Sequence, residues 1–115
     1  MAKILKLQPN EILLREGDKS NTMYVVQSGQ LVVTKKRGND DIVLGHIYTK
    51  ELVGEISFLD KEPRSATVRA VSECELIEIP QETFDTIFSN QPKWLETLYL
   101  TLAERLRRAD ARIKI

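Results

Sequence analysis

Val53-Gly54-Glu55-Ile56-Ser57-Phe58-Leu59-Asp60-Lys61-Glu62-Pro63-Arg64-Ser65-Ala66-Thr67-Val68 reads as a strand end, a glycine turn, one or two helical turns, a polar loop and an Arg-Ser-Ala-Thr entry into the next strand. Three of its features suit a sugar phosphate. Gly54 has no Cβ, so the backbone can turn sharply and approach a ligand closely. A short helix starting near Glu55 aims unpaired amides at an anion. Arg64 brings a permanent positive charge whose forked donors match phosphate oxygens. Glu55 is the odd member, because a carboxylate beside a phosphate is repelled. The conflict disappears if Glu55 faces a neutral hydroxyl, such as a ribose 2′-OH, and accepts its hydrogen bond. A carboxylate, an arginine nine positions later and a small hydroxyl residue beside it describe a ribose and a phosphate bound together.

Outward from this stretch, the preceding residues read as short strands. Ile4, Leu5 and Leu7 form an apolar segment ending at Pro9-Asn10, and Ile12-Leu13-Leu14 is closed by the turn dipeptide Gly17-Asp18. Met23-Tyr24-Val25-Val26 runs to Ser28-Gly29, and Leu31-Val32-Val33 starts two residues later, a hairpin signal. Arg37-Gly38-Asn39-Asp40 is a further turn before Ile42-Val43-Leu44. Two more strands follow the central stretch, Ala66 to Val71 and Glu75 to Ile79. Strands at intervals of about 8–12 residues with turns between them predict an antiparallel barrel or sandwich.

From Pro80 the period becomes helical. Phe84, Ile87 and Phe88 share one face of a short helix over about 81–89, which packs on the barrel. Ser89-Asn90-Gln91-Pro92 breaks it, and Pro92 opens a second helix to about residue 113. Leu95, Leu98, Leu102, Leu106, Ala109 and Ile113 are spaced 3, 4, 4, 3 and 4, a narrow apolar seam flanked by arginines. A helix of that length spans roughly 33 Å. Part of its seam is expected to cover a ligand pocket and the rest to meet a second copy or another protein. Trp94 is expected to pack the start of this helix.

The 115 residues suit one domain, 1–115, with the barrel over about 4–79. Hydrophobic content of 42% and charged content of 30% are those of an ordinary globular protein. A formal net charge of zero gives no electrostatic footprint for nucleic acid. Arg105, Arg107, Arg108, Arg112 and Lys114 form a basic cluster, but Glu104 and Asp110 interrupt it and no aromatics interleave. A solvated helix flank explains it. The one cysteine, Cys74, excludes an internal disulfide and reads as a small core residue. No apolar run approaches the roughly 20 residues that span a bilayer, and the start, Met1-Ala2-Lys3-Ile4, lacks a secretory core segment. The cytoplasm is the expected location, with no membrane partner.

The central stretch resembles the phosphate-binding cassette of the cyclic nucleotide-binding domain family, which includes the bacterial catabolite activator protein, the regulatory subunits of cyclic AMP-dependent protein kinase and cyclic nucleotide-gated channels. The family's pattern of Gly-Glu, a hydrophobic residue, a loop and Arg-(Ser/Thr/Ala)-Ala is met by Gly54, Glu55, Ile56, Arg64, Ser65 and Ala66. Gly17-Asp18, Tyr24, Gly29 and Leu31 also match family landmarks, and the order of elements agrees from about Pro9 onward. Thr49-Lys50 departs from the family, which often has a glycine turn there. The start also looks too short for the family's leading helix.

The resemblance implies a mainly β fold, an antiparallel jelly-roll barrel (a double-stranded β-helix) with the cassette and two C-terminal helices. It also assigns roles. Arg64 binds the cyclic phosphate, where an arbitrary arginine would pair with Glu62 or Asp60. Glu55 accepts the ribose 2′-OH, where a bare helix terminus would use it only against the dipole. Ser65 donates its hydroxyl, and the Ser65 and Ala66 amides also serve the phosphate; the plainer reading is that Ser65 starts a strand. Val33, Leu44 and Val53 fall where family members line the base and ribose, and ordinary barrel core explains them equally well. Arg105 sits where some channel members place an arginine against the base, with a solvated face as its alternative. Ala109 and Asp110 replace the hydroxyls that the catabolite activator presents to adenine; Asp110 fits a guanine edge or solvent.

The expected function is a non-catalytic sensor that binds cAMP or cGMP, needs no cofactor and signals through its C-terminal helices to a second copy or an effector protein. The alternative is a module of the same fold that has lost its ligand and dimerises through the helix seam. A metal enzyme of the cupin type needs two or three histidines, and His46 stands alone.

Overall fold

The computed structural model describes residues 3–113, and side chains as far as residue 109. Six strands come first: β1 Lys3–Leu7, β2 Ile12–Leu14, β3 Thr22–Ser28, β4 Leu31–Arg37, β5 Asp40–Ile47 and β6 Leu52–Val53. Helix α1, Glu55–Asp60, interrupts them before β7 Thr67–Ala70 and β8 Cys74–Pro80. Helices α2, Gln81–Phe88, and α3, Lys93–Ile113, close the chain.

The strands form two antiparallel four-stranded sheets, ordered β1-β8-β3-β6 and β2-β7-β4-β5. Period-two alternation decides which side chains enter the core. Tyr24 and Val26 on β3, Val68 and Ala70 on β7, and Cys74 and Leu76 on β8 are buried while their neighbours are not. Both sheets thus contribute to one cluster, which also takes Leu7, Leu14, Leu31 and Val53. This is the jelly-roll arrangement that the family resemblance implies, within the barrel-or-sandwich class that the strand spacing predicts.

Ser28-Gly29 is not a hairpin. It carries the chain from β3 in one sheet to β4 in the other, and the true hairpin is β4–β5, closed where Arg37 faces Asp40. The reason lies at Gly29, whose φ is +97° and where a Cβ would lie 2.4 Å from the Glu73 carbonyl oxygen. The chain crosses there against the entry to β8. Lys50 takes the place of the family's turn glycine in the same left-handed conformation, φ 76°, with its N–H bonded to Val26 O at 2.7 Å.

The helical faces differ from expectation. On α2, Phe84 is buried and Phe88 partly so, while Ile87 is exposed. Four-residue spacing, rather than Ile87, brings Phe84 and Phe88 into a 4.4 Å stack. Trp94 is 65% exposed and does not pack the start of α3. The seam leucines Leu98, Leu102 and Leu106 also face solvent. The inward face of α3 is the buried Ala103 with half-buried Tyr99 and Arg107, again four apart. Tyr99 meets Phe84 and Phe88 edge-on, and the small Ala103 lets α3 lie close against α1. The expected cover of a pocket by this helix falls partly on residues 110–113, whose side chains lie outside the described ones; as far as residue 109, α3 rests on α1.

Candidate ligand site

Gly54 sits at φ 76°, ψ 17°, left-handed, as the residue before α1, and Phe58 N–H returns to Gly54 O at 3.1 Å to close the first turn. Glycine is required twice over. The left-handed backbone excludes most side chains, and a Cβ would lie 2.5 Å from Arg64 Nη1. Lys61, also left-handed, ends α1 by donating its N–H to Ser57 O at 2.9 Å. The chain then runs beside residues 17 and 18, where Arg64 N–H bonds Asp18 O and Arg64 O accepts Gly17 N–H, both at 2.8 Å.

These bonds turn the Arg64 side chain inward until only 6% of the residue is exposed. Its Nη1 donates to Gly54 O at 3.1 Å and its Nη2 to Thr22 O at 2.7 Å. Among the described residues no carboxylate forms an ion pair with it. Burial pushes the guanidinium below its usual pKa, opposed by Tyr24 and Asp18. Burial in turn raises the Tyr24 hydroxyl, with Glu78 adding to the rise and Arg64 opposing it. A buried cation hydrogen-bonded to neutral carbonyls has lost water, and the Asp18 carboxylate offsets only part of that burial. An anion alongside would offset that cost.

A cavity of about 140 Å³ adjoins it. Seven of the ten residues expected at a site line it: Val33, Gly54, Glu55, Ile56, Arg64, Ser65 and Ala66. The other three do not. Val53 is wholly buried in the barrel core, Leu44 is exposed on β5, and Arg105 is exposed on α3. A register shift between Val33 and Thr34 puts an extra residue into β5 at Leu44 and turns it away from the cavity. The side chain of Asp110 lies outside the described residues.

Four lining residues were not expected: Leu14, Ile47, Ser57 and Val68. Leu14 and Ile47 come from strands remote in sequence, and Val68 lies at the end of the central stretch on β7. Ser57 had a local signal, since it lies two residues after Glu55 on α1. It is buried, donates its Oγ–H to Pro63 O at 3.3 Å and accepts Arg107 Nη2 at 3.2 Å. Arg107 also grips Asp60 in a fork, Nε to Oδ2 at 2.6 Å and Nη2 to Oδ1 at 3.1 Å. A residue read as solvated flank is therefore α3's polar anchor on the cassette.

A larger depression, about 630 Å³, lies between α1 and α3. Its arginines are already neutralised, Arg107 by Asp60 and Arg108 by Glu104. Arg64, at the smaller cavity, makes no ion pair among the described residues. No grouping of three or more metal-binding side chains occurs among the described residues, and His46 is exposed on β5. No described helix is long and apolar enough to cross a membrane.

The model of the cyclic nucleotide-binding domain matches residues 4–91, more than half of the sequence. The chain belongs to the cyclic nucleotide-binding domain family. Members of this family take cAMP or cGMP as ligand and need no cofactor for it. Among solved structures, the cAMP-bound form of an EAL enzyme matches at TM-score 0.85 and 25% identity, over 95% of this chain and 29% of that one. The regulatory domain of protein kinase A from Toxoplasma gondii with cAMP matches at TM-score 0.72 and 35% identity, over 75% of this chain and 33% of that one. The catabolite activator protein of Thermus thermophilus gives TM-score 0.79 and 28% identity, over 97% and 53%. In sequence, lysophospholipase NTE1 of Cryptococcus neoformans is 31% identical over 104 residues, 90% of this chain and 6% of that protein. Human patatin-like phospholipase domain-containing protein 6 is 29% identical over 102 residues, 87% of this chain and 7% of that protein. The chain thus spans less than a tenth of these curated relatives.

Proposed function

We propose that this domain is a non-catalytic cAMP sensor whose C-terminal helices report occupancy. The observation that carries it is Arg64, a buried guanidinium held by two backbone carbonyls at the wall of a cavity that Glu55 and Ser65 also line. Arg64 serves the phosphate together with the Ser65 hydroxyl and the Ser65 and Ala66 amides, and Glu55 accepts the ribose 2′-OH. A cavity of about 140 Å³ is smaller than the roughly 300 Å³ at which ligand pockets for whole drug-sized molecules begin. It fits the sugar and cyclic phosphate, with the base leaving past the apolar Val33, Ile47 and Ile56. The similar EAL enzyme has both a cAMP-bound and a cGMP-bound form, so the preference for cAMP rests on the similar protein kinase A regulatory domain with cAMP.

Transmission runs through Arg107. It joins Ser57, which lines the cavity, and Asp60 at the end of α1 to the middle of α3. A ligand that moves α1 has a different affinity for the docked and released positions of α3, which is the condition for coupling. The exposed stripe of Leu98, Leu102 and Leu106 is the surface offered to a second copy or an effector. Titration with cAMP and with cGMP, with oligomeric state measured in each form, tests the reading. Tighter binding of cAMP and a ligand-dependent change at α3 are expected. Binding of neither nucleotide overturns it and leaves a dimerisation module of the same fold.

A further inference from the structure

The β4–β7 ladder stops at Thr34 opposite Thr67. One pair beyond, backbone partners are replaced by side chains. Lys36 N–H donates to Glu16 Oε1 at 3.0 Å instead of crossing to β7's approach, and the Ser65 carbonyl receives Lys35 Nζ at 2.8 Å. Glu16 Oε2 lies 3.6 Å from the same ammonium, and Glu16 N–H reaches Thr67 Oγ1 at 3.0 Å. Lys35 is two residues past Val33 on β4, so it leaves the strand on the face that lines the cavity. Its ammonium is nevertheless spent on a carbonyl.

That carbonyl belongs to the peptide unit between Ser65 and Ala66, two lining residues. The unit is planar and trans, so its C=O and N–H point opposite ways. Tying the oxygen to Lys35 fixes the direction of the Ala66 N–H. A free unit can rotate and turn its oxygen, the negative end of the peptide dipole, toward a bound anion. We infer that Lys35, braced by Glu16, is a positioning residue for the phosphate, holding the Ser65–Ala66 peptide with its carbonyl out of the site. This rests on the phosphate reading of the cavity.

Calorimetric titration of the protein with cAMP tests it. Lys35→Met is expected to bind about tenfold more weakly, the loss of one charge-assisted hydrogen bond at a partly exposed position. Lys35→Arg, which keeps a donor and a charge, stays within about threefold of the parent, and neither variant shifts the melting of the nucleotide-free protein by more than about 3 °C. The ratio between parent and Lys35→Met holds as salt is raised past the point where exposed charges are screened. Equal affinity for parent and Lys35→Met overturns the inference. So does a ratio that falls toward one in high salt, which would make Lys35 a diffuse attracting charge, or a Lys35→Arg as weak as Lys35→Met. Should Lys35→Met not fold, Glu16→Gln removes the brace alone, and about a threefold loss is expected; no loss overturns the inference. If the parent itself binds no cyclic nucleotide, the sensor reading fails and takes this inference with it.

Discussion

The cassette carries an arginine on each flank, and the two are satisfied in opposite ways. Arg64, on the barrel side, is buried and holds only neutral carbonyls. Arg107, on the helix side, is forked onto Asp60, a carboxylate that cancels its charge. In the proposed reading the first grips a ligand, whereas the second fastens α3. Residue type does not separate a binding cation from a structural one. What separates them is whether a carboxylate already grips the guanidinium directly.

The contrast can be broken by substitution. Arg64→Ala carries the largest expected effect, since losing one partner of a desolvated charge contact costs roughly 2–5 kcal/mol. Calorimetry should show cAMP binding weakened by about 30- to several-thousand-fold with the melting transition retained; unchanged affinity would end the phosphate assignment. Gly54→Ala comes next. It forces a left-handed alanine, a strain of about 1–3 kcal/mol, and drives a methyl into Arg64 Nη1. Thermal melting and affinity should fall together.

On the helix side the expected losses are smaller and different in kind. Arg107→Ala should leave cAMP affinity within about fivefold while removing roughly 1–2 kcal/mol of docking, because the pair is only partly buried. Amide exchange in α3 should rise, and its response to nucleotide should vanish. Asp60→Arg with Arg107→Asp should restore part of it. If Arg107→Ala instead abolished binding as Arg64→Ala does, the division of labour between the two arginines would be wrong. Glu55 sharpens the ligand side: 2′-deoxy-cAMP should bind about tenfold more weakly than cAMP, and Glu55→Gln should narrow that gap. The smallest effect is at Lys50, where glycine relieves a left-handed lysine and should add about 0.5–1 kcal/mol to stability by denaturant melting.

Much of this site was legible because the cassette is local. Gly54, Glu55, Arg64, Ser65 and Ala66 lie within one short stretch whose turn, helix and strand entry follow from their own chemistry. The rest of the wall depends on which strands meet, and sequence neighbours mislead there. β3 and β4 are joined by a tight turn yet belong to different sheets, so Leu14 and Ile47 carry no local mark of their place beside Arg64, while Val68, inside the central stretch, is marked only by the period-two alternation of β7. Along α3 two stripes share helical spacing, and hydrophobicity favours the leucines. Packing chose Tyr99, Ala103 and Arg107 instead, because an aromatic cluster, a small residue and a carboxylate 47 positions away wait on the other side. Polar partners that far apart leave no periodic trace.

Phe58 has no exposed surface, and its ring stands edge-on to Phe84 at 5.1 Å, which in turn contacts Phe88 and Tyr99. One residue of the turn that faces the cavity is therefore a cog meshed with both terminal helices. Sliding that turn by the width of a methyl group parts the rings or drags the helices along, so α1, bounded by Gly54 and Lys61, and the helices that begin after Pro80 are geared as one unit.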